Sequence, residues 1–321
     1  MVYEEFVTEI ADRLRRSFPD AVSIQLLRLP RNNGHPREAL CIREADHSSS
    51  PAIYLEPFWE SYRHGVPIEL LQEEILSCYR DASRDFSALS IPLDSFDTVR
   101  PYLGVKLINR ERNLALLEHL PHRDLLDLSL VYYICLRPEK GPGANALIHR
   151  EHLQIWNITP EELHREAMKN AAEKMPCKIR GIDDFICDIM MSEALLSQFP
   201  ISDLTGYKYP STAQRTPMYV ATNPRRVFGA SCILYPGTLE AFARRCRRNF
   251  YVLPSSIHET ILIPALPELR AEEMEDMVHE VNEATLAEEE FLSNHVYLYR
   301  RGQGLSLPLD DSAGMIPASA L

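Results

Sequence analysis

The stretch YVLPSSIHETILIP, residues 251–264, sets two apolar runs on either side of a short polar corner. Pro254 ends the first run, and Ser255 and Ser256 are residues whose hydroxyls hydrogen-bond turn backbone. His258 and Glu259 open the return run. The stretch reads as a β-hairpin, and antiparallel hairpins backed by helices define an α+β chain, not a doubly wound sheet. The same corner also contains the residue types of nucleophilic catalysis: Ser256, His258 and Glu259 as nucleophile, base and orienting carboxylate of a hydrolase. In a strand Ser256 and His258 share a face while Glu259 points away. Catalytic partners usually come from separate segments, and no GxSxG elbow is present. Three readings therefore stand: a structural turn, a catalytic cluster, and a polar ligand contact through Ser255, Ser256 and His258.

Outward from the corner, MYVATN and GASCILY read as strand-like runs and PGTLEAFARRCRR as a helix. A long helix follows over 268–290, with Met274, Met277, Val278 and Val281 on its apolar stripe and an almost wholly acidic opposite face. This acidic helix either stays solvated or docks a basic protein partner. HVYLYRR is a last strand, and 309–321 reads as a loose tail.

Upstream, YLGVKLIN reads as a strand, RERNLALLEHL as a helix and LSLVYYICL as a strong strand. EKGPGA is a turn, and NALIHREHLQIW a short strand entering a short helix. In TPEELHREAMKNAAEKM, Thr159 caps a helix, Pro160 takes its first position, Glu162 closes a capping box, and Leu163, Ala167 and Ala171 face inward. IDDFICDIMMSEALLSQF reads as a further helix, followed by the turn-rich PISDLTGYKYPSTAQRTP. The N-terminal stretch predicts a helix over 3–17, hairpin strands VSIQLLRL and REALCIRE around Asn33-Gly34, a third strand in PAIYLEPF, and a helix over VPIELLQEEILSCYRDA. These elements divide into an α-β-β-β-α block over 1–85, a middle block over 96–200 and a C-terminal block over 215–308. The last two share the order β-α-β-β-α, which suggests a repeated unit.

Composition narrows the function classes. The 321 residues are 45% hydrophobic and 25% charged, an ordinary globular mixture. A net charge of −12 opposes attraction to nucleic acid or anionic lipid. The seven cysteines show no CxxC spacing, and several lie in apolar runs as buried thiols do. No basic leader and no apolar run of about 18 residues is seen, which predicts a soluble cytoplasmic protein. Twelve glycines, with no GxGxxG and no GxxxxGK[ST], leave no phosphate loop, so no cofactor is expected. His149 and His152, three apart in HREH, are weak metal candidates with His164 as a conceivable third ligand, and HETIL lacks the second histidine of HExxH.

Four long strings, VKLINRERNLALLEHLPHRDLLDLSLVYYI, LQIWNITPEELHREAMKNA, PMYVATNPRRVFGASCILYPG and FYVLPSSIHETILIP, resemble a bacterial family defined as a domain of unknown function, DUF5688. The N-terminal pattern fits it as well, and a more distant likeness is to a second bacterial family of similar layout. The resemblance implies no activity, cofactor or catalytic residue. The expectation is a cytoplasmic, non-enzymatic binding or regulatory protein, with a hydrolase built on Ser256, His258 and Glu259 as the alternative.

Overall fold

The computed structural model describes residues 2–18, 22–44, 52–87, 93–135, 145–197, 217–254, 256–308 and 314–320. EKGPGA, nearly all of PISDLTGYKYPSTAQRTP, part of the expected tail, and Ser255 lie outside the described residues. The chain forms two compact units, Met1–Pro92 and Leu93–Leu321, and its helices and antiparallel sheets make it α+β.

In the first unit, helix α1 (Tyr3–Ser17) buries Phe6, Val7, Ile10, Ala11 and Leu14. Strands β1 (Val22–Leu29), β2 (Arg37–Glu44) and β3 (Ala52–Tyr54) form an antiparallel sheet in that order. The β1–β2 register runs from Val22 opposite Glu44 to Leu29 opposite Arg37, so a loop over 30–36 replaces a two-residue turn. Asn33 takes a left-handed φ of 60° within it. Only the front of PAIYLEPF is a strand. Glu56 and Pro57 begin helix α2 (Glu56–Arg63), because proline in a first helical turn gives up no hydrogen bond. Helix α3 (Ile68–Ser87) buries Leu71, Ile75 and Tyr79 and leaves Cys78 exposed. It continues through DASRDFS, which the sequence suggested as a boundary.

The second unit opens with α4 (Phe96–Val99) and β4 (Leu103–Asn109). RERNLALLEHL, expected as one helix, is a 3-10 turn followed by the single turn α5 (Leu114–Leu117). Strands β5 (His122–Leu125), β6 (Leu128–Cys135) and β7 (Asn145–Leu147) complete a four-stranded sheet with β6 at its centre. β4 covers one edge of β6, while β5 and β7 share the other end to end. Helices α6 (Arg150–Trp156), α7 (Pro160–Lys174) and α8 (Ile182–Ser197) follow, with β8 (Lys178–Gly181) between the last two. Thr159 caps α7 by accepting the Glu162 N–H at 3.2 Å, and Leu163, Ala167 and Ala171 are its buried residues.

Seven antiparallel strands form the other sheet. Added to β8 are β9 (Tyr219–Thr222), β10 (Phe250–Leu253), β11 (Thr260–Pro264), β12 (Tyr297–Arg300), β13 (Gly304–Ser306) and β14 (Met315–Pro317). Their spatial order is β14-β13-β12-β10-β11-β9-β8. Met315–Pro317 thus belongs to a sheet edge, where a loose tail was expected. GASCILY is not a strand: Gly229–Leu234 is a fully buried 3-10 helix leading to α9 (Thr238–Cys246). The expected repeat is not reproduced in the pairing. The central β6 touches both β4 and β7, whereas its counterpart β10 pairs with β11 and β12, and β9 pairs with β11. Helix α10 spans Ala271–Thr285, shorter than 268–290, because Leu286 turns extended and Glu288–Glu290 form a separate 3-10 turn.

Candidate functional site

The opening stretch is a hairpin, with Leu253 opposite Ile261 and Phe250 opposite Pro264. Its corner brings Ser256, His258 and Glu259 together, but through turn bonds. The Ser256 hydroxyl donates to Glu259 Oε1 at 2.8 Å and accepts the His258 N–H at 3.0 Å. Ser256 is 2% exposed. The His258 ring faces elsewhere: its Nδ1 accepts the Phe228 N–H at 3.2 Å, and its Nε2 lies 3.7 Å from Glu290 Oε1. With Nδ1 occupied as an acceptor, the neutral ring carries its proton on Nε2. The same bonding recurs in Ser293 and His295: the Ser293 hydroxyl donates to Asp127 at 2.6 Å and accepts the His295 N–H at 2.9 Å. Two Ser-x-His segments thus use the serine hydroxyl to close a turn onto a carboxylate.

The corner is built against a second segment. Thr222 Oγ1 donates to the His258 carbonyl at 2.7 Å, and the Ile257 N–H reaches the Glu290 carbonyl at 2.9 Å. Phe228, at a left-handed φ of 54°, stacks on the His258 ring with centroids 5.9 Å apart. Gly229 permits this approach, since a Cβ there would stand 2.2 Å from Thr222 Oγ1 and 2.4 Å from the His258 oxygen. The Lys106 ammonium lies 5.1 Å from the Phe228 ring centre, and burial lowers its pKa to about 8. The strand reading of YLGVKLIN carried no signal for a buried lysine; only the packing of both faces of β4 reveals it.

The two metal candidates do meet. The His149 N–H donates to His152 Nδ1 at 2.9 Å, and His152 stacks on Trp156 at 5.2 Å. Burial lowers the pKa of both imidazoles. His164 turns instead to the Tyr132 hydroxyl, 2.9 Å from its Nδ1, and burial brings its pKa down to about 4. Among the described residues no three His, Cys, Asp or Glu side chains gather as metal ligands.

On α10 the inward residues are Ala271, Met274, Val278 and Asn282, and Asn282 donates to the Ser293 carbonyl at 3.0 Å. The outer surface exposes Glu272, Glu273, Asp276, Glu280 and Glu283 with no lysine or arginine on the helix. Met277 and Val281, both expected on the inward stripe, are instead each 47% exposed. They fall four apart, on the helix face that also carries Glu273, Glu280 and Ala284.

The model of the family of unknown function DUF5688 matches residues 3–301, and the chain belongs to that family. No curated protein and no solved structure matches it.

Proposed function

We propose that the protein is a non-enzymatic binding or regulatory protein that docks a basic, amphipathic partner segment on the outer face of α10. The observation that carries this reading is the Met277–Val281 stripe, apolar and exposed beside Glu273 and Glu280. An apolar stripe supplies the area that binding buries, and the surrounding charge selects basic partners and speeds encounter. Location in the bacterial cytosol goes with this reading. Among the described residues no helix is long and apolar enough to cross a membrane, and all seven cysteines are free thiols, as a reducing compartment keeps them. The acidic total weighs against nucleic acid as the partner.

The test is native mass spectrometry of the protein purified from its own host, beside a Glu273→Lys/Glu280→Lys variant of unchanged melting temperature. A stoichiometric protein partner that the variant loses is expected, with binding of the natural chain weakening as salt rises. A partner that the variant keeps would move the interface off α10. Substrate turnover by the purified chain, lost in His258→Ala without loss of fold, would replace this reading with the hydrolase.

A further inference from the structure

A cavity of about 260 Å³ lies in the second unit, where the start of β4, the end of β6, the last turn of α7 and the 223–235 segment converge. Leu103, Val105, Ala171 and Met175 contribute apolar wall. Among the described residues its charged lining is Lys174 and Arg225, with no Asp or Glu. In a chain of net charge −12 this is a local reversal of sign.

Tyr133 is the polar group set into the wall. The residue is 3% exposed, and among the described residues nothing hydrogen-bonds its hydroxyl. Its ring fits only because residue 104 is glycine: a Cβ there would stand 2.5 Å from Tyr133 Cζ and 2.7 Å from its oxygen. Burial raises the Tyr133 pKa, which keeps the hydroxyl a donor at neutral pH, and Arg225 acts electrostatically on it in the opposite sense. The backbone at Arg225 is held in place. Asn223 Oδ1 accepts the N–H groups of Arg225 at 3.0 Å and Val227 at 3.4 Å, and its Nδ2 donates to the Val227 carbonyl at 2.7 Å. The guanidinium makes a weak 3.9 Å contact to Cys135 Sγ and pairs with no carboxylate among the described residues.

A phenol set in the wall and a cation, neither with a hydrogen-bonded or charged protein partner for its polar group among the described residues beyond the weak Cys135 contact, and an apolar wall are the parts of a small-ligand site. A cavity of about 260 Å³ falls just below the range of drug-sized ligand pockets, which suits a small ligand. One guanidinium and one phenol match the two oxygens of a carboxylate. We propose that this cavity binds a small organic acid, its carboxylate held by Arg225 and the Tyr133 hydroxyl and its apolar body against Leu103, Val105 and Met175. Lys174, whose ammonium contacts the Pro101 carbonyl, adds positive potential at the exposed edge.

The experiment is isothermal titration calorimetry of the full chain with octanoate and with 3-phenylpropanoate, each compared with its neutral amide. At least one acid binds one site per chain, with its amide weaker by about tenfold or more. Arg225→Gln, a change at an exposed position, weakens that acid by about tenfold. Tyr133→Phe, which removes one oxygen and keeps the ring, weakens it by about threefold to tenfold. Heats at the buffer level for both acids would overturn the proposal. So would an amide that binds as well as its acid, or an affinity that neither substitution changes.

Discussion

Lys106 is a lysine inside a strand whose two faces are both covered, with 9% of its surface exposed and the Phe228 ring beneath its ammonium. Burial disfavours the charged form and brings the pKa down from 10.5 to about 8. The sign of the linkage follows. Below pH 8 the folded and unfolded chains both hold the proton, and the folded chain bears the full desolvation cost. Between about 8 and 10 the folded chain sheds the proton while the unfolded chain keeps it, so stability rises with pH. Lys106→Met removes the cost, and it should be more stable than the natural chain at pH 7 by about 1–3 kcal/mol. In urea titrations that advantage should shrink as pH climbs from 8 to 10. A gap independent of pH would mean that Lys106 is not titrating in the fold. Gly229 shows the opposite kind of constraint. Its alanine variant forces a Cβ onto Thr222 and the His258 carbonyl, and a loss of about 2–3 kcal/mol is expected in the same assay.

Helix α7 is the element whose sequence and structure agree most closely, because everything that forms it is local. Thr159 accepts the Glu162 N–H, Pro160 follows, and the buried residues recur every four positions. Thr159→Ala should cost about 1 kcal/mol, read as a lower urea midpoint for Trp156 fluorescence in a Trp59→Phe background, and Thr159→Ser should restore most of it. The β10–β11 hairpin was legible for the same reason: two apolar runs bracket a polar corner that closes on itself through Ser256. Elements fixed by distant neighbours were not legible. GASCILY has strand composition, yet Gly229 must pass close to Thr222 and His258, and that approach turns the segment into a 3-10 helix. HRDL is too polar to read as a strand, and it becomes β5 only because Leu126, at φ 59°, folds it back onto β6. The acidic helix was legible as acidic. That Met277 and Val281 face outward follows from which stripe packs on the sheet, and spacing alone does not decide that.

At the scale of the second unit, a few buried polar residues tie two sheets into one body. Asp127, in the turn between β5 and β6, accepts hydrogen bonds from the Ser293 hydroxyl at 2.6 Å and the Tyr297 hydroxyl at 2.7 Å. Asn109 donates to the Leu292 carbonyl at 3.0 Å, and Ser231 donates to the Val105 carbonyl at 3.2 Å. Arg112 covers the Phe291 ring at 3.8 Å. None of these pairs is close in sequence, which is why the chain read as a middle block and a C-terminal block, and why the cavity residues, scattered from 101 to 235, gave no motif. Asp127→Ala leaves two hydroxyls without their acceptor, on Ser293 at 0% and Tyr297 at 1% exposure. The cost should be about 3 kcal/mol, since each orphaned buried hydroxyl costs on the order of 1–3 kcal/mol. Hydrogen-exchange mass spectrometry distinguishes the consequences. If the ties make one cooperative body, peptides from β6 and from β10–β12 lose protection by the same factor. If protection falls only over 291–297, the two sheets unfold separately and Asp127 merely pins a loop.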